Sequence, residues 1–358
     1  MRTLFAVIIV FCLATSSLAA EQATTVYDGT VLTEDVTWRG SILVRGFVVV
    51  APQATLRIDP GTVVRFAATS VQQLPNLVVQ GRLHAVGTSE RPIVMTSDQI
   101  KPVRGSWGGL VLLSTEKRNM LERCRIEYAE TGVDVRFSSV TLKSVAIEHA
   151  NIALLSHDGV VQMAGSTVSN SETGIDIRNS EFDGREMTVD SCKRGFVLSK
   201  SAVVLASVKI TDSKQIGLEA DECRIKINGG ELSGNALGAR IKGGEGQIAM
   251  SGFVRNTQTA LHLSGSRIKI QRCLFTGNLQ DALRVEDGWS LVLNNAFSSN
   301  GGFNIYNAGR DVVAARQNWW GTVDPMLIEQ KITDSFDGKQ TGTVHVFPWL
   351  NEKPQFMP

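Results

Sequence analysis

Along the chain, a small residue followed by apolar, variable and apolar positions returns every 20 to 22 residues. Clear copies are Gly132-Val133-Asp134-Val135, Gly174-Ile175-Asp176-Ile177, Gly195-Phe196-Val197-Leu198 and Gly217-Leu218-Glu219-Ala220. The series continues through Gly238-Ala239-Arg240-Ile241, Ala260-Leu261-His262-Leu263, Ala282-Leu283-Arg284-Val285 and Gly302-Phe303-Asn304-Ile305. A degenerate copy, Ile152-Ala153-Leu154-Leu155, fills the one gap, so successive anchors step by 20, 22, 21, 22, 21, 22, 22 and 20 residues. Each unit carries a second alternating pair, such as Val140 with Leu142, Ile225 with Ile227, or Ile268 with Ile270. Alternation of period two predicts short strands with one buried face.

A unit this short cannot bury its apolar face alone. It must stack on its neighbours by parallel pairing, about 4.8 Å from rung to rung. The predicted fold is therefore all-β, a right-handed parallel β-helix of about 12–14 coils capped at both ends. Leucine-rich, ankyrin and tetratricopeptide units are excluded by the missing leucine spacing and the absence of helical patterning. Asn170, Ser191, Ser213, Asn256 and Asn278 recur four residues before the anchor. They are expected in turns, where asparagine tolerates left-handed backbone and stacked amides hydrogen-bond from coil to coil. The predicted organisation is a signal peptide at 1–20, an N-terminal cap with the first coils at 21–115, regular repeats at 116–315 and a C-terminal cap at 316–358. Trp319, Trp320 and Trp349 are expected over the last coil, with a short helix from Met326 to Ile332.

The segment Thr55-Leu56-Arg57-Ile58-Asp59-Pro60-Gly61-Thr62-Val63-Val64-Arg65-Phe66 resembles the opening of exported right-handed β-helix repeat proteins of the pectin-lyase-like superfold. Leu83-His84-Ala85-Val86-Gly87-Thr88 is similar to their next coil, and Asn318-Trp319-Trp320-Gly321-Thr322 to their closing segment. The resemblance implies a fold and export. It does not imply one activity, because this superfold hosts many.

Arg2, the apolar run Leu4 to Leu13 and the small residues around Ser17-Leu18-Ala19 read as a cleaved secretory signal. The run is too short to span a bilayer. A secreted or periplasmic location is expected, with no integral membrane segment after cleavage. Net charge is +1, which gives no basis for nucleic-acid binding. Cys124, Cys192, Cys223 and Cys273 sit at separate repeat positions and are expected as buried single thiols. The five histidines show no ligand spacing. No metal site and no cofactor are expected.

Candidate chemistry must sit on outward positions. One expected row is Asp134, Leu154, Asp176, Val197, Glu219, Arg240, His262, Arg284 and Asn304. A second, two residues on, is Arg136, Ser156, Arg178, Ser199, Asp221, Lys242, Ser264, Glu286 and Asn307. Asp134 and Asp176 are the catalytic candidates, two coils or about 9.6 Å apart by strand spacing. That is at the outer limit for an inverting glycosidase, about 6.5–9.5 Å. Arg240, His262 and Arg284 would form a strip for an anionic polysaccharide. The chain is also polarised: residues 238–273 carry Arg240, Lys242, Arg255, Arg267, Lys269 and Arg272 against Glu245 alone. The expected function is an exported, non-catalytic β-helix protein of the cell envelope that binds polysaccharide or another envelope component. The alternatives are a polysaccharide lyase or glycoside hydrolase, and a scaffold docking an envelope protein.

Overall fold

The computed structural model describes residues 23–68, 73–114, 116–335 and 341–355. One coil shows how the rest are made. Its three strands are Ile216–Asp221, Arg224–Asn228 and Glu231–Ser233. Each pairs in parallel with its counterpart one coil on: Glu219 with Arg240, Lys226 with Gln247, and Leu232 with Phe253. The three strands define a first, second and third face of a right-handed parallel β-helix. Third-face strands form one 13-stranded sheet. The first two faces merge where Leu261–Gln271 and Leu283–Leu293 run unbroken around the edge.

The coil length follows from its corners. Each tight corner turns on a single left-handed residue, as at Lys200, Ser207 and Asp212, with φ of 49°, 54° and 52°. L-residues enter this region singly and at some cost. In the next coil two of the three places are glycine, Gly229 and Gly234, where that cost vanishes. Between corners the alternation points Leu218, Ala220, Ile225, Ile227 and Leu232 inward, all at 1% exposure or less. Stacked rungs bring like residues together. Phe253, Phe275, Phe297 and Trp320 form a column with ring centroids 4.8, 4.9 and 4.9 Å apart.

A second column is polar. Asn235, Asn256, Asn278 and Asn300 lie buried where the third face turns into the first. Each side-chain oxygen accepts from the backbone amide of the preceding coil, beginning with Ser213 N to Asn235 Oδ1 at 2.9 Å. The Nδ2 groups of Asn235, Asn256 and Asn278 donate upward to the next Oδ1. Asn170 and Ser191, expected in this row, instead occupy the left-handed corner one residue earlier, with φ of 51° and 54°. Ser171 holds the ladder position there, its Oγ accepting from Ala150 N.

Register departs from the sequence expectation in two coils. Leu154 pairs with Val133 and Ile175 and is fully buried, so Leu155 stands between Asp134 and Asp176. Ser156 points inward, and His157 lies outward between Arg136 and Arg178. The reason is the crowding of this row: a Cβ on Gly132 would fall 2.5 Å from the Ala153 carbonyl and one on Gly174 2.6 Å from the Gly195 carbonyl, so the small Ala153 and not Ile152 stands between them. In the last repeat Ile305 pairs with Leu283 and Tyr306 with Arg284, while Asn304 and Asn307 are buried.

At the C-terminal end Trp319 bridges Ala296, and Trp320 stacks on Phe297. The helix spans Pro325–Glu329, earlier than expected, because Asp324 caps it and Pro325 occupies its first turn. Ile332–Thr333 then returns to the first face beside Ile305 and Tyr306. At the other end, Thr25–Asp28, Val31–Leu32 and Val36–Trp38 make up the outermost coil. The leader expected at 1–20 lies outside the described residues. No described helix is long and apolar enough to cross a membrane. Cys124, Cys192, Cys223 and Cys273 are free and buried.

Candidate functional site

The first face carries the predicted residues on one line of register. Asp134, Leu155, Asp176, Val197, Glu219, Arg240, His262, Arg284 and Tyr306 follow one another coil by coil. Their surroundings differ sharply along the line.

Asp134 and Asp176 project from the outer side of the sheet, yet are only 4% and 2% exposed. Two residues on, and on the same side, an arginine folds back over each. Arg136 Nε lies 3.0 Å from both oxygens of Asp134, and its Nη2 lies 2.6 Å from Oδ2. Arg178 grips Asp176 in the same way, at 2.9 and 2.6 Å. The hydrogen bond to the carboxylate, with its charge, raises each guanidinium above its ordinary value. Leu155 and Val197 close the sides. Both oxygens of each acid are engaged in bidentate pairs, the strong form of charge-assisted hydrogen bond. Both acids are thus buried beneath their arginines.

Further along the face opens. Arg178, Val197, Ser199, Glu219, Asp221, Arg240 and Lys242 line a shallow depression of about 510 Å³. Arg240 Nη1 reaches Glu219 Oε1 at 3.2 Å across one rung. Lys242 forms no ion pair among the described residues and is exposed. The depression thus combines guanidinium, ammonium, carboxylate and hydroxyl groups over an apolar floor.

Beyond it His262, Glu286, Arg284 and Tyr306 form a compact group. Arg284 Nε donates to Glu286 Oε1 at 2.9 Å, and its guanidinium sits 4.6 Å from the Tyr306 ring centre. His262 Nε2 lies 3.2 Å from Glu286 Oε2. Burial opposes ionisation of Glu286. The Arg284 hydrogen bond and the neighbouring imidazole outweigh it and hold the carboxyl below its usual 4.5.

The structure therefore brings Arg240, His262 and Arg284 into one row and couples each to an acid. Tyr306, His157 and Leu155 were missed because residue counting misplaced two registers; the small residue at Ala153 is the signal that places the earlier one. Among the described residues no group of three or more His, Cys, Asp or Glu is arranged to hold a metal.

Residues 29–160 match a family model described as a pectate-lyase like beta helix domain. The coils after residue 160 continue the same three-strand geometry. No curated protein is similar in sequence. Among solved structures, a double mutant of the periplasmic alginate epimerase AlgG is 10% identical, with a TM-score of 0.48 over 87% of this chain and 77% of its own. The A-module of the Azotobacter vinelandii mannuronan C-5 epimerase AlgE6 is 11% identical, with a TM-score of 0.45 over 88% and 91%. The catalytic unit of a Streptomyces thermodiastaticus GH87 alpha-1,3-glucanase is 8% identical, with a TM-score of 0.45 over 92% and 63%. Identities this low carry no information on activity.

Proposed function

We propose that the protein is an exported, non-catalytic solenoid of the cell envelope that binds a polysaccharide strand along its first face. The observation that carries this reading is the depression around Arg240. It places Arg178, Arg240 and Lys242 beside Ser199, Glu219 and Asp221 on a flat sheet. Its side chains repeat at about 4.8 Å, comparable to the length of one sugar residue in an extended chain. Hydroxyl-rich ligands need such mixed donors and acceptors, and the cations favour acidic sugars. His262 and Arg284 continue the strip over the next coils. Asp134 and Asp176 act as clasps on the surface and not as acid and base, since their arginines already occupy them.

The test is an array of neutral, uronate and sulfated glycans probed with wild type and with Arg240→Ala/Lys242→Ala. Preferential binding to acidic glycans, weakened at least tenfold in the variant, is the expected result. Equal binding by both proteins, or none by either, removes the strip. Release of unsaturated or reducing ends from any bound glycan would overturn the non-catalytic part and put the lyase or hydrolase reading in its place.

A further inference from the structure

We propose that the second face holds a separate strip for an acidic polysaccharide, so that one solenoid can grip two strands. The proposal goes beyond the first-face reading and rests on different residues.

Two register lines on this face matter. Lys226, Gln247, Lys269 and Leu291 follow one another on successive coils. Beside them run Arg224, Glu245, Arg267 and Trp289. The first two of these compensate each other, with Arg224 Nε 3.6 Å from Glu245 Oε1. Lys226 and Lys269, by contrast, take part in no ion pair among the described residues. They stand two coils apart, about 9.6 Å by strand spacing. Every sugar of a polyuronate carries a carboxylate, and in an extended two-fold chain those of alternate sugars face one side at a comparable interval. Gln247 lies between them, able both to donate to and accept from sugar hydroxyls.

A second observation points to the same rows. A shallow depression of about 420 Å³ is lined by Lys226, Gln247 and Gln271, over a floor that includes Val204, Ala206 and Ala249. The floor is low because two of its side chains are alanines. One coil past Gln271, Trp289 exposes 52% of its surface. A tryptophan this open on a flat sheet, next to cations, offers a ring face to the C–H side of a pyranose while its N–H stays free to donate. At the opposite end Glu181 and Asp183 lie on the outward positions, and Asp183 is clasped by Arg185 at 2.9 and 2.8 Å. That acidic end sets a limit to how far a polyanion can extend. The strip therefore runs from about Val204 to Trp289.

The experiment uses the full chain with the first face disabled by Arg240→Ala/Lys242→Ala, titrated with an oligogalacturonate by calorimetry and by indole fluorescence. The expected result is retained binding near one oligosaccharide per protein, with a fluorescence change that disappears in Trp289→Phe. Adding Lys226→Gln/Lys269→Gln should weaken binding at least tenfold while leaving the circular dichroism spectrum unchanged. Loss of all binding in the first-face variant would overturn the second strip and leave the first-face reading standing. Unchanged affinity and stoichiometry in that variant would sink the first-face reading alone. Equal affinity for single-stranded oligonucleotides, abolished by the same lysine changes, would overturn the assignment to a glycan.

Discussion

Replacing Asn256 with alanine isolates the work done by the amide column. Asn256 is fully buried. Its Oδ1 accepts from Asn235 N at 3.1 Å and from Asn235 Nδ2 at 3.2 Å. Its Nδ2 donates to Leu232 O at 3.1 Å and to Asn278 Oδ1 at 2.9 Å. Truncation strands the Asn235 amide away from water, costing about 1–3 kcal/mol. The small void adds roughly 1 kcal/mol. Together they predict about 2–4 kcal/mol, read as a fall in Tm of about 3–6 °C. Because each coil contacts only its neighbours, the loss should be local. Hydrogen exchange should quicken at residues 232–238 and stay unchanged near Val48. Asn256→Asp sharpens the test. Its second oxygen would face the Leu232 carbonyl and Asn278 Oδ1, so the folded state favours the protonated acid and raises its pKa. Stability is then fullest below the unfolded value of about 3.9 and is lost as pH rises towards the raised folded value. A Tm for Asn256→Ala within 1 °C of wild type, with unchanged exchange at Asn235, would refute the reasoning.

Arg136→Met should destabilise the protein by roughly 2 kcal/mol, because it leaves Asp134 buried without its guanidinium, while the arginine's own half-exposure moderates the cost. The double variant Asp134→Leu/Arg136→Met should recover to within about 1 kcal/mol in urea unfolding; if the double is worse than the single, the clasp explanation fails. Burial pushes the Cys124 and Cys273 thiols up to about 12, so their thiolates are suppressed at neutral pH. Peptide mapping after treatment with a thiol reagent at pH 8 should find both unmodified until denaturant is added; labelling of the folded protein would contradict their burial.

The coil was legible because burial and pairing act together on the same positions. An inward residue must be apolar, the residue at the head of the first-face strand must be small, and both recur once per turn. What escaped was whatever depends on a single residue's place within a coil. Left-handed corners are filled by Lys200, Glu222, Arg255 and Arg272 as readily as by Gly229 or Gly234, so no composition marks them. Counting from the apolar pair put Leu154 outside. The observed register follows Ala153, which stands between Gly132 and Gly174 in a row where an added Cβ would collide with the next coil's carbonyl. The amide column was seen one residue early at Asn170 and Ser191, because a corner residue and its buried successor share the same small polar chemistry. Tyr306 was hidden by the two extra residues that precede Ile305.

The outward faces follow a different rule, and it is the one that bears on function. Rungs about 4.8 Å apart set every outward charge beside its counterpart above and below, where like charges repel and opposite ones attract. Much of the charge here answers that demand internally. Arg240 meets Glu219 on the next coil, whereas Arg136, Arg178, Arg185 and Arg284 meet an acid two places away on their own strand. Such pairs stabilise the sheet surface and leave little charge for a ligand. Lys242 on the first face, and Lys226 and Lys269 on the second, form no ion pair among the described residues, although Asp221 stands beside Lys242 on the neighbouring rung. Each lies in or beside a depression floored by small apolar side chains. An ammonium group unspent on its own sheet, above a floor low enough to admit a sugar ring, is the place where an acidic strand gains most from contact. The unpaired lysines are therefore the decisive changes in each test, Lys242 on the first face and Lys226 with Lys269 on the second, while a change at a paired arginine such as Arg240 also removes a contact of the scaffold.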